Sequence, residues 1–415
     1  MRHFQFLQDA SGMFVATLLA NVFNLLYQLF MVRALVPVDF GTLNALLALI
    51  TVIAMPTGTL QTVTTKFIST FKADEHDWKI SNFLWLFSQK LIIFGAIFGV
   101  IIAVFSRQLA IFFKIEGPGL LVVLGLIVIM STILPFLIGA LQGLQRFVPF
   151  GAASIINGGV RLAGGVILVT IGWRVAGALW AIVLGSAAAA IVAIIGLRSY
   201  FFAPHEPDAI SLRGADIMSI YKFFLPTMIG LASFALLTNM DIILVKRFFS
   251  AEETGYYSIA QIVGKIILFL PGAVTIVMFP KLAENYARKA DTLGMLKFSL
   301  LSVGVLCGAA GVFCVLFPHF VLKVLAGSVF PQCIPLILPF AVSMSFFALN
   351  QVFLFYHFSV HNTRFILLFL GVMVAQIVLM GFFHAQLLHI VNVLIMCAAG
   401  LLCLNMLSLR RAAPA

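Results

Sequence analysis

The chain has 415 residues, of which 62% are hydrophobic and only 9% charged. Soluble proteins carry about 25% charged residues, so a surface this poor in charge suits lipid rather than water. The formal net charge is +11, but the basic residues separate hydrophobic runs instead of clustering, which argues against a nucleic-acid-binding surface and favours loops that face anionic membrane lipid. Composition therefore predicts an integral membrane protein without a nucleic-acid partner.

Apolar runs long enough to cross a bilayer recur along the whole chain. A transmembrane helix needs about 20 predominantly apolar residues, and barrel strands would show an alternation that these runs lack. We predict an all-α integral membrane fold with about twelve transmembrane helices. They lie at roughly 11–32, 41–64, 84–105, 119–142, 148–171, 174–197, 217–245, 257–280, 296–317, 332–355, 363–383 and 387–408.

The two halves of the chain resemble each other. Residues 29–58 can be laid on residues 243–272 without a gap, so that Gly41 meets Gly255. Both segments read as a helix end, a short acidic turn, a glycine and a further helix. This similarity indicates an internal repeat.

A polar connection at 198–216 divides the predicted helices six and six. We therefore predict two six-helix lobes, 1–197 and 217–415, joined by a cytoplasmic linker and related by a parallel pseudo-twofold repeat. Transporters with this architecture bind their substrate between the repeats. With the N-terminus inside, the cytoplasmic loops hold roughly twice as many lysines and arginines as the opposite loops, which predicts that both termini are cytoplasmic.

Three ionisable residues lie at membrane depth, where a charge costs several kcal/mol unless it faces protein or water. Arg161 lies near the middle of the fifth run, Lys265 near the middle of the eighth, and Asp241 in the outer third of the seventh. Structural ion pairs, including one between Lys265 and Asp241, remain an alternative to a role in a cavity. Asp241 is also near enough to its helix end to reach the interface.

Uncharged polar residues follow one face of several predicted helices. Residues spaced three or four apart share a helix face. Such stripes either hydrogen-bond to a neighbouring helix or line a hydrated cavity, which here would be cationic and suited to an anionic ligand such as a phosphate. The residues are Thr17, Asn21, Asn24 and Gln28 in the first helix, Gln61 late in the second, and Gln261 beside Lys265 in the eighth.

Nothing in the sequence predicts an enzyme, a metal site or a cofactor. Nucleophile-elbow, phosphate-loop and zinc-protease motifs are absent. The five cysteines lack the spacing of a metal site and are predicted to pack in apolar runs. His357 and His361 are four residues apart at a helix end, and we expect a titrating surface pair there rather than a metal site.

Three segments carry a resemblance to a known family. They are residues 239–284, the stretch VRALVPVDFGTLNAL at 32–46, and GALQGLQRF at 139–147. Together they resemble polysaccharide biosynthesis flippases, which belong to the multidrug/oligosaccharidyl-lipid/polysaccharide exporter superfamily. The resemblance extends from Asp9 to about Leu407.

This resemblance implies that the chain moves a polyprenyl-diphosphate-linked oligosaccharide across the cytoplasmic membrane of a bacterium or archaeon by alternating access. Lys265, Arg161 and Arg33 would receive the diphosphate, and Asp241 would be a counter-charge or a proton or sodium site. Sugar hydroxyls would bind to Asn21, Asn24, Gln28 and Gln61, with Gln261 completing the predicted binding residues. The chain has fewer deep arginines and fewer helices than the related lipid II flippases, which argues against a peptidoglycan precursor.

Two alternatives remain from the sequence. A multidrug antiporter of the same superfamily would need acids in its cavity for cationic drugs, and Asp241 is the single deep acid among the predicted helices. A membrane-embedded polysaccharide polymerase would be expected to have a long extracytoplasmic loop with arginines, which the predicted topology does not contain.

Overall fold

The computed structural model describes residues 2–73, 77–115, 118–201, 214–269, 282, 291–360 and 365–412. Over these residues the chain is predominantly α-helical, and no β-strand occurs among them. The helices are α1 (Arg2–Ala34), α2 (Pro37–Ala73), α3 (Asp77–Val104), α4 (Ser106–Phe113), α5 (Gly119–Gly143), α6 (Phe147–Leu168), α7 (Arg174–Gly196), α8 (Arg198–Phe201), α9 (Gly214–Phe248), α10 (Ala251–Phe269), α11 (Leu293–Leu316), α12 (Pro318–Ala326), α13 (Ile334–Ser359), α14 (Phe365–Phe382) and α15 (Leu387–Ala412).

Ten helical segments of the described chain are long and apolar enough to cross a membrane. One of them, Phe147–Gly196, is 50 residues long and contains both α6 and α7. α10 is not among the ten because Glu252, Glu253 and Lys265 place three charges within its 19 residues. When α6 and α7 are counted separately and α10 is added, the described residues form the twelve long helices that the sequence predicts. The predicted all-α multi-pass membrane fold is confirmed.

A short π-helical turn joins α6 to α7. It covers Val169–Trp173, and within it Gly172 adopts a φ of +99°. A positive φ is accessible to glycine because it has no Cβ. The chain reverses here, and α7 packs back along α6. The turn therefore produces two helices from one continuous apolar segment.

The helices group into two compact units. Unit one comprises residues 1–35 and 53–225, and unit two comprises 36–52 and 226–415. α2 is shared, since its first part groups with unit two and the remainder with unit one. Residues 202–213 of the predicted linker lie outside the described part of the chain, so the lobe boundaries drawn from the sequence stay a prediction.

Each unit has its own packed core. In unit one, aromatic and aliphatic side chains fill the space where α2, α3, α5, α6 and α7 meet. In unit two, Gly264 of α10 lets the helix approach Phe340 and Met344 of α13 closely. The buried residues at the centre of unit one include Ile68, Phe83, Phe136, Leu141 and Phe150.

Within unit two, the start of α2 packs closely on the start of α10. A Cβ built on Gly41 would lie 2.8 Å from the backbone nitrogen of Gly255, and one built on Gly255 would overlap the carbonyl oxygen of Pro37. Gly41 and Gly255 are the glycines that the internal repeat equates. The two glycines allow the backbones of α2 and α10 to approach closely.

We predict that Gly255→Ala lowers the thermal stability of the purified protein. The new methyl group must displace the backbone at Pro37, and overpacking of this kind costs about 1–3 kcal/mol. Gly308→Ala in α11 is the matched control, because a Cβ there meets open space. Thermal unfolding in detergent provides the measurement. Equal melting temperatures for the two variants would contradict the close contact.

Substitution at Gly172 tests the turn between α6 and α7. A Cβ at this position would contact nothing, so the cost of Gly172→Ala comes only from the backbone and should be about 1–2 kcal/mol. Asparagine tolerates a positive φ better than alanine. We therefore expect the unfolding temperature to fall in the order wild type, Gly172→Asn, Gly172→Ala. An alanine variant as stable as the wild type would disprove the left-handed conformation.

Candidate functional site

A positively charged side chain lies at membrane depth in unit one. Arg161 of α6 is half-buried against α1. Its Nη1 donates a 3.2 Å hydrogen bond to Oδ1 of Asn24, and its guanidinium carbon lies 4.2 Å from the centre of the Tyr27 ring. The fully buried Tyr27 donates through its hydroxyl to the carbonyl oxygen of Ala178 at 2.8 Å. α1 therefore holds Arg161 through one amide and one aromatic face.

The charge of Arg161 is only partly compensated. A guanidinium group has five N–H donors, and Asn24 accepts from one of them. The buried Nε has no hydrogen-bond partner, and no carboxylate forms an ion pair with Arg161 among the described residues. An unsatisfied buried donor costs about 1–3 kcal/mol. The arrangement can donate to an anionic oxygen of a ligand and would be stabilised by it.

Small residues bring three helices together around Arg161. A Cβ built on Gly158 of α6 would lie 3.1 Å from the carbonyl oxygen of Ala20 in α1. A Cβ on Gly185 of α7 would lie 3.0 Å from the Arg161 Cβ. Close helix approach of this kind depends on residues without large side chains. Gly158 on α6 and Gly185 on α7 thus allow α1 and α7 to pack closely around the Arg161 stem.

The polar stripe predicted on α1 differs in exposure along its length. Thr17 and Asn21 are exposed, whereas Asn24 and Gln28 are half-buried. Asn24 reaches Arg161, so at least one member of the stripe belongs to the charged cluster. Arg33 lies exposed in the last turn of α1, about 13 Å along the helix from Asn24 at 1.5 Å per residue. The structure does not bring Arg33 to the Arg161 cluster.

Gln61 joins α2 to α5. Its Nε2 donates to Oε1 of Gln142 at 3.3 Å, and Thr65 one turn later donates to the carbonyl oxygen of Gly139 at 3.1 Å. A Cβ on Gly139 would lie 3.1 Å from the Cα of Gln61, so the two helices are in direct contact there. Gln61 is half-buried in this contact and forms no hydrogen bond with the Arg161 cluster within the described helices.

Unit two contains a fully buried carboxylate. Oδ2 of Asp241 in α9 accepts hydrogen bonds from the hydroxyl of Tyr257 at 2.9 Å and from Nε2 of Gln261 at 2.7 Å. Oδ1 of Asp241 is buried and has no hydrogen-bond partner among the described atoms. A carboxylate oxygen that lacks a donor is a site at which a proton or a small cation can bind.

Gln261 connects this carboxylate to α2. Its Oε1 accepts a 2.8 Å hydrogen bond from Nδ2 of Asn44, while its Nε2 donates to Asp241. These two contacts fix the orientation of the Gln261 amide. Asn44, Gln261 and Asp241 therefore form one chain of hydrogen bonds through unit two.

Lys265 lies beside this chain but bonds elsewhere. Its ammonium group donates to Oδ1 of Asn239 at 3.1 Å, and Asn239 in turn donates to the carbonyl oxygen of Ala235 at 2.9 Å. No ion pair joins Lys265 to Asp241 within the described residues, so the direct pairing that the sequence left open does not occur there. Nζ of Lys265 is thus held by an uncharged amide.

Several residues of these clusters are missing from the sequence-based set, among them Tyr27, Tyr257, Asn44 and Asn239. Tyr27 lies three residues after Asn24 and shares its helix face. Tyr257 lies four residues before Gln261 on the same face of α10, so helical spacing could have identified it. Asn44 has no such signal, because its role depends on the packing of α2 against α10.

The histidine prediction is wrong for His357. This residue is buried, its Nε2 lies 3.3 Å from Oδ1 of Asn405, and its ring stacks on Phe365 with centroids 5.0 Å apart. α14 covers this end of α13, which removes the side chain from the surface. His361 lies outside the described residues. No group of three metal-binding side chains occurs in the described part of the chain.

Solved structures of membrane transporters share this fold. An inward-facing multidrug resistance MATE family transporter of the MOP superfamily matches at 15% identity and a TM-score of 0.69, covering 95% of this chain and 96% of that one. The lipid II flippase MurJ in an inward closed conformation matches at 12% identity and a TM-score of 0.73, covering 97% and 87%. A MOP superfamily transporter from Pyrococcus furiosus matches at 15% identity and a TM-score of 0.59, covering 96% and 93%.

No curated protein matches the sequence. The family model described as "Polysaccharide biosynthesis protein" matches residues 30–335, which is well over half of the chain and includes Arg161, Asp241 and Lys265. At these identities the solved structures establish the fold, and the family model establishes the relationship. The chain therefore belongs to the polysaccharide biosynthesis protein family and has the fold of the MOP superfamily transporters.

Proposed function

We propose that this protein is a flippase that moves a polyprenyl-diphosphate-linked oligosaccharide across the cytoplasmic membrane by alternating access. The observation that carries the proposal is the uncompensated charge of Arg161, whose buried Nε has no partner among the described residues. A cation at membrane depth is expensive unless it serves a ligand or a pathway. A diphosphate supplies the negative charge that Arg161 lacks, and family membership supplies the link to polysaccharide synthesis.

The two cations act on the diphosphate in different ways. Arg161 offers a planar group whose N–H donors match phosphate oxygens, and Tyr27 holds that plane from one side. Lys265 offers a point charge at the end of a flexible stem, and among the described residues it is held by Asn239. Charge-assisted hydrogen bonds from both side chains would neutralise the head group while it is inside the membrane.

The uncharged amide side chains are assigned to binding the sugar part of the substrate. Asn21 and Gln28 of α1 are exposed or half-buried, and an amide that faces hydrocarbon would be costly, so their position favours a hydrated space. In that space they would hydrogen-bond to sugar hydroxyls. Gln61 would do so only by exchanging its contact with Gln142. Gln261 has both amide atoms engaged and is better assigned to positioning Asp241 than to contacting sugar.

Asp241 is proposed as the site of a coupling ion. Its Oδ2 is fixed by Tyr257 and Gln261, and its Oδ1 lacks a donor among the described groups. A proton or a sodium ion on Oδ1 would satisfy this oxygen and neutralise the buried charge. An imposed ion gradient would then drive the cycle.

The positive loops favour a location in the cytoplasmic membrane of a bacterium or archaeon with both termini on the cytoplasmic side. In this orientation the lipid-linked substrate enters from the leaflet in which sugar nucleotides are available for its assembly. No enzymatic step is assigned to the protein, and no cofactor is needed for the movement.

A multidrug antiporter is the second candidate, favoured by the fold that the chain shares with the MATE family transporter. Cationic drugs require an acid, and Asp241 would have to provide it. Arg161 opposes this function, because it places an uncompensated positive charge in unit one. The Pyrococcus furiosus relative is described as having a binding pocket of reversed polarity, so pocket charge differs among transporters of this fold.

Removal of the two cations tests the flippase proposal. We expect Arg161→Ala and Lys265→Ala each to reduce flipping of a polyprenyl-diphosphate oligosaccharide in reconstituted vesicles by about tenfold or more, because a hydrogen bond to a charged group contributes about 1.5–3 kcal/mol. Arg107→Ala is the matched control, since Arg107 is exposed and has no recorded contact among the described residues. Unchanged flipping in both site variants would overturn the proposed roles, and resistance to cationic dyes on overexpression would favour the antiporter.

Neutralisation of Asp241 tests ion coupling. Asp241→Asn keeps the size of the side chain but removes the charge, so flipping should no longer accelerate when a proton or sodium gradient is imposed. Flipping without a gradient should continue. Asp291→Asn is the control, because Asp291 is exposed and caps the start of α11, a role that asparagine also fills. An Asp241→Asn variant that still responds to the gradient would exclude this residue as the ion site.

A further inference from the structure

An open cleft of about 700 Å³ lies at one end of unit one, where α5 turns into α6 and α7 ends. It is separate from Arg161, which lies more than three helical turns, about 18 Å, further along α6. The residues that line the cleft include Gln145, Arg146, Val148, Ile195, Arg198 and Ser199.

The backbone of the α5–α6 turn gives the cleft a fixed wall. Gln145 adopts a φ of +57°, and the backbone N–H of Arg146 donates to the carbonyl oxygen of Leu141 at 2.9 Å. This pattern of a left-handed residue with a long backward hydrogen bond closes the end of a helix. The wall therefore results from regular helix termination rather than from a loose loop.

Arg146 is anchored at the rim of this cleft. Its Nη1 donates to the carbonyl oxygen of Gly196 at 2.5 Å, its Nη2 donates to Oγ of Ser199 at 3.0 Å, and its guanidinium carbon lies 5.2 Å from the centre of the Tyr200 ring. These contacts hold the plane of the guanidinium group while leaving other N–H donors unused. Arg146 is therefore a preorganised cation.

The rim carries more positive charge than Arg146 alone. Arg198 lines the cleft, is exposed, and forms no hydrogen bond or ion pair within the described residues. Nearby, the ammonium group of Lys72 donates to the carbonyl oxygen of Leu144 at 2.7 Å. No acidic residue lines the cleft among those described. The cleft is thus suited to an anionic group.

The other side of the cleft is apolar and continues along the membrane-spanning part of the helices. Val148 of α6 is 83% exposed, and Ile191 and Ile195 of α7 are 59% and 58% exposed. The cations lie at the ends of the helices, at the level of lipid head groups, and the apolar side chains extend from them towards the hydrocarbon. Free phosphate would use the cations but would have no need of this apolar face.

We propose that this cleft binds an anionic phospholipid of the surrounding leaflet. The lipid phosphate lies between Arg146 and Arg198, and its acyl chains lie against Val148, Ile195 and Ile191. Basic pockets at the ends of transmembrane helices recognise acidic head groups in this way, and the positive loops place this end of unit one on the anionic cytoplasmic leaflet. This lipid is bound as a resident and is not the transported substrate, so the inference does not depend on the proposed flippase activity.

Lipid retention by the purified full-length protein tests this proposal. Native mass spectrometry is performed with phosphatidylglycerol or phosphatidylcholine added to the detergent. We expect the wild-type protein to retain phosphatidylglycerol preferentially and Arg198→Gln to weaken this retention about fivefold, the effect of one basic residue near an anionic head group. Arg107→Gln is the matched control, since it removes another exposed arginine of unit one without touching the cleft.

Two further measurements make the assignment specific. Val148→Ser should weaken retention of phosphatidylglycerol but leave retention of phosphatidylcholine unchanged, because it removes an acyl contact at the anionic site. Inorganic phosphate at millimolar concentration should not displace the lipid. Equal retention of the two lipids by the wild-type protein, an Arg198→Gln variant that retains phosphatidylglycerol as tightly as the wild type, or displacement by inorganic phosphate would each overturn the proposal.

Discussion

The hydrocarbon of a bilayer offers no hydrogen-bond partners, and this constraint determines which polar groups the protein can keep within its helices. Most of the described side-chain donors in the membrane-spanning helices find an acceptor nearby in their own helix. Ser154, for example, donates to the carbonyl oxygen of Phe150 one turn earlier. Groups that remain unsatisfied are therefore informative. The two charged groups with an unsatisfied atom, Nε of Arg161 and Oδ1 of Asp241, belong to the clusters from which function is proposed.

Each cluster uses a different means of holding charge. In unit one, the face of Tyr27 and the amide of Asn24 stabilise the Arg161 cation without neutralising it. In unit two, Asp241 and Lys265 are held by uncharged hydrogen-bonding groups rather than by each other. A direct ion pair would satisfy both charges and leave little for a ligand. Neutral partners leave each group able to bind an opposite charge.

Sequence reasoning predicted the twelve helices and the three deep charges because both depend on local patterns. A run of apolar residues defines a membrane helix, and a charge inside it is conspicuous. The partners of those charges were harder to predict. Asn44 reaches Gln261 only because Gly41 and Gly255 let two helices approach, and the grouping of residues 36–52 with unit two depends on the same packing. His357 was misassigned because a neighbouring helix covers it.

A chain of hydrogen bonds from Asp241 through Gln261 to Asn44 connects the buried carboxylate of α9 to α2. Gln261 donates to Oδ2 of Asp241, and its amide oxygen accepts from Asn44 in the first part of α2. A proton on Oδ1 would leave Oδ2 as an accepting carbonyl oxygen but remove the negative charge, so the Gln261 hydrogen bond would lose its charge assistance. Asn44 lies in the part of α2 that groups with unit two, so the hydrogen-bond chain connects the start of this helix to the buried carboxylate. The charge on a buried acid can thereby affect how firmly the start of α2 is held within unit two.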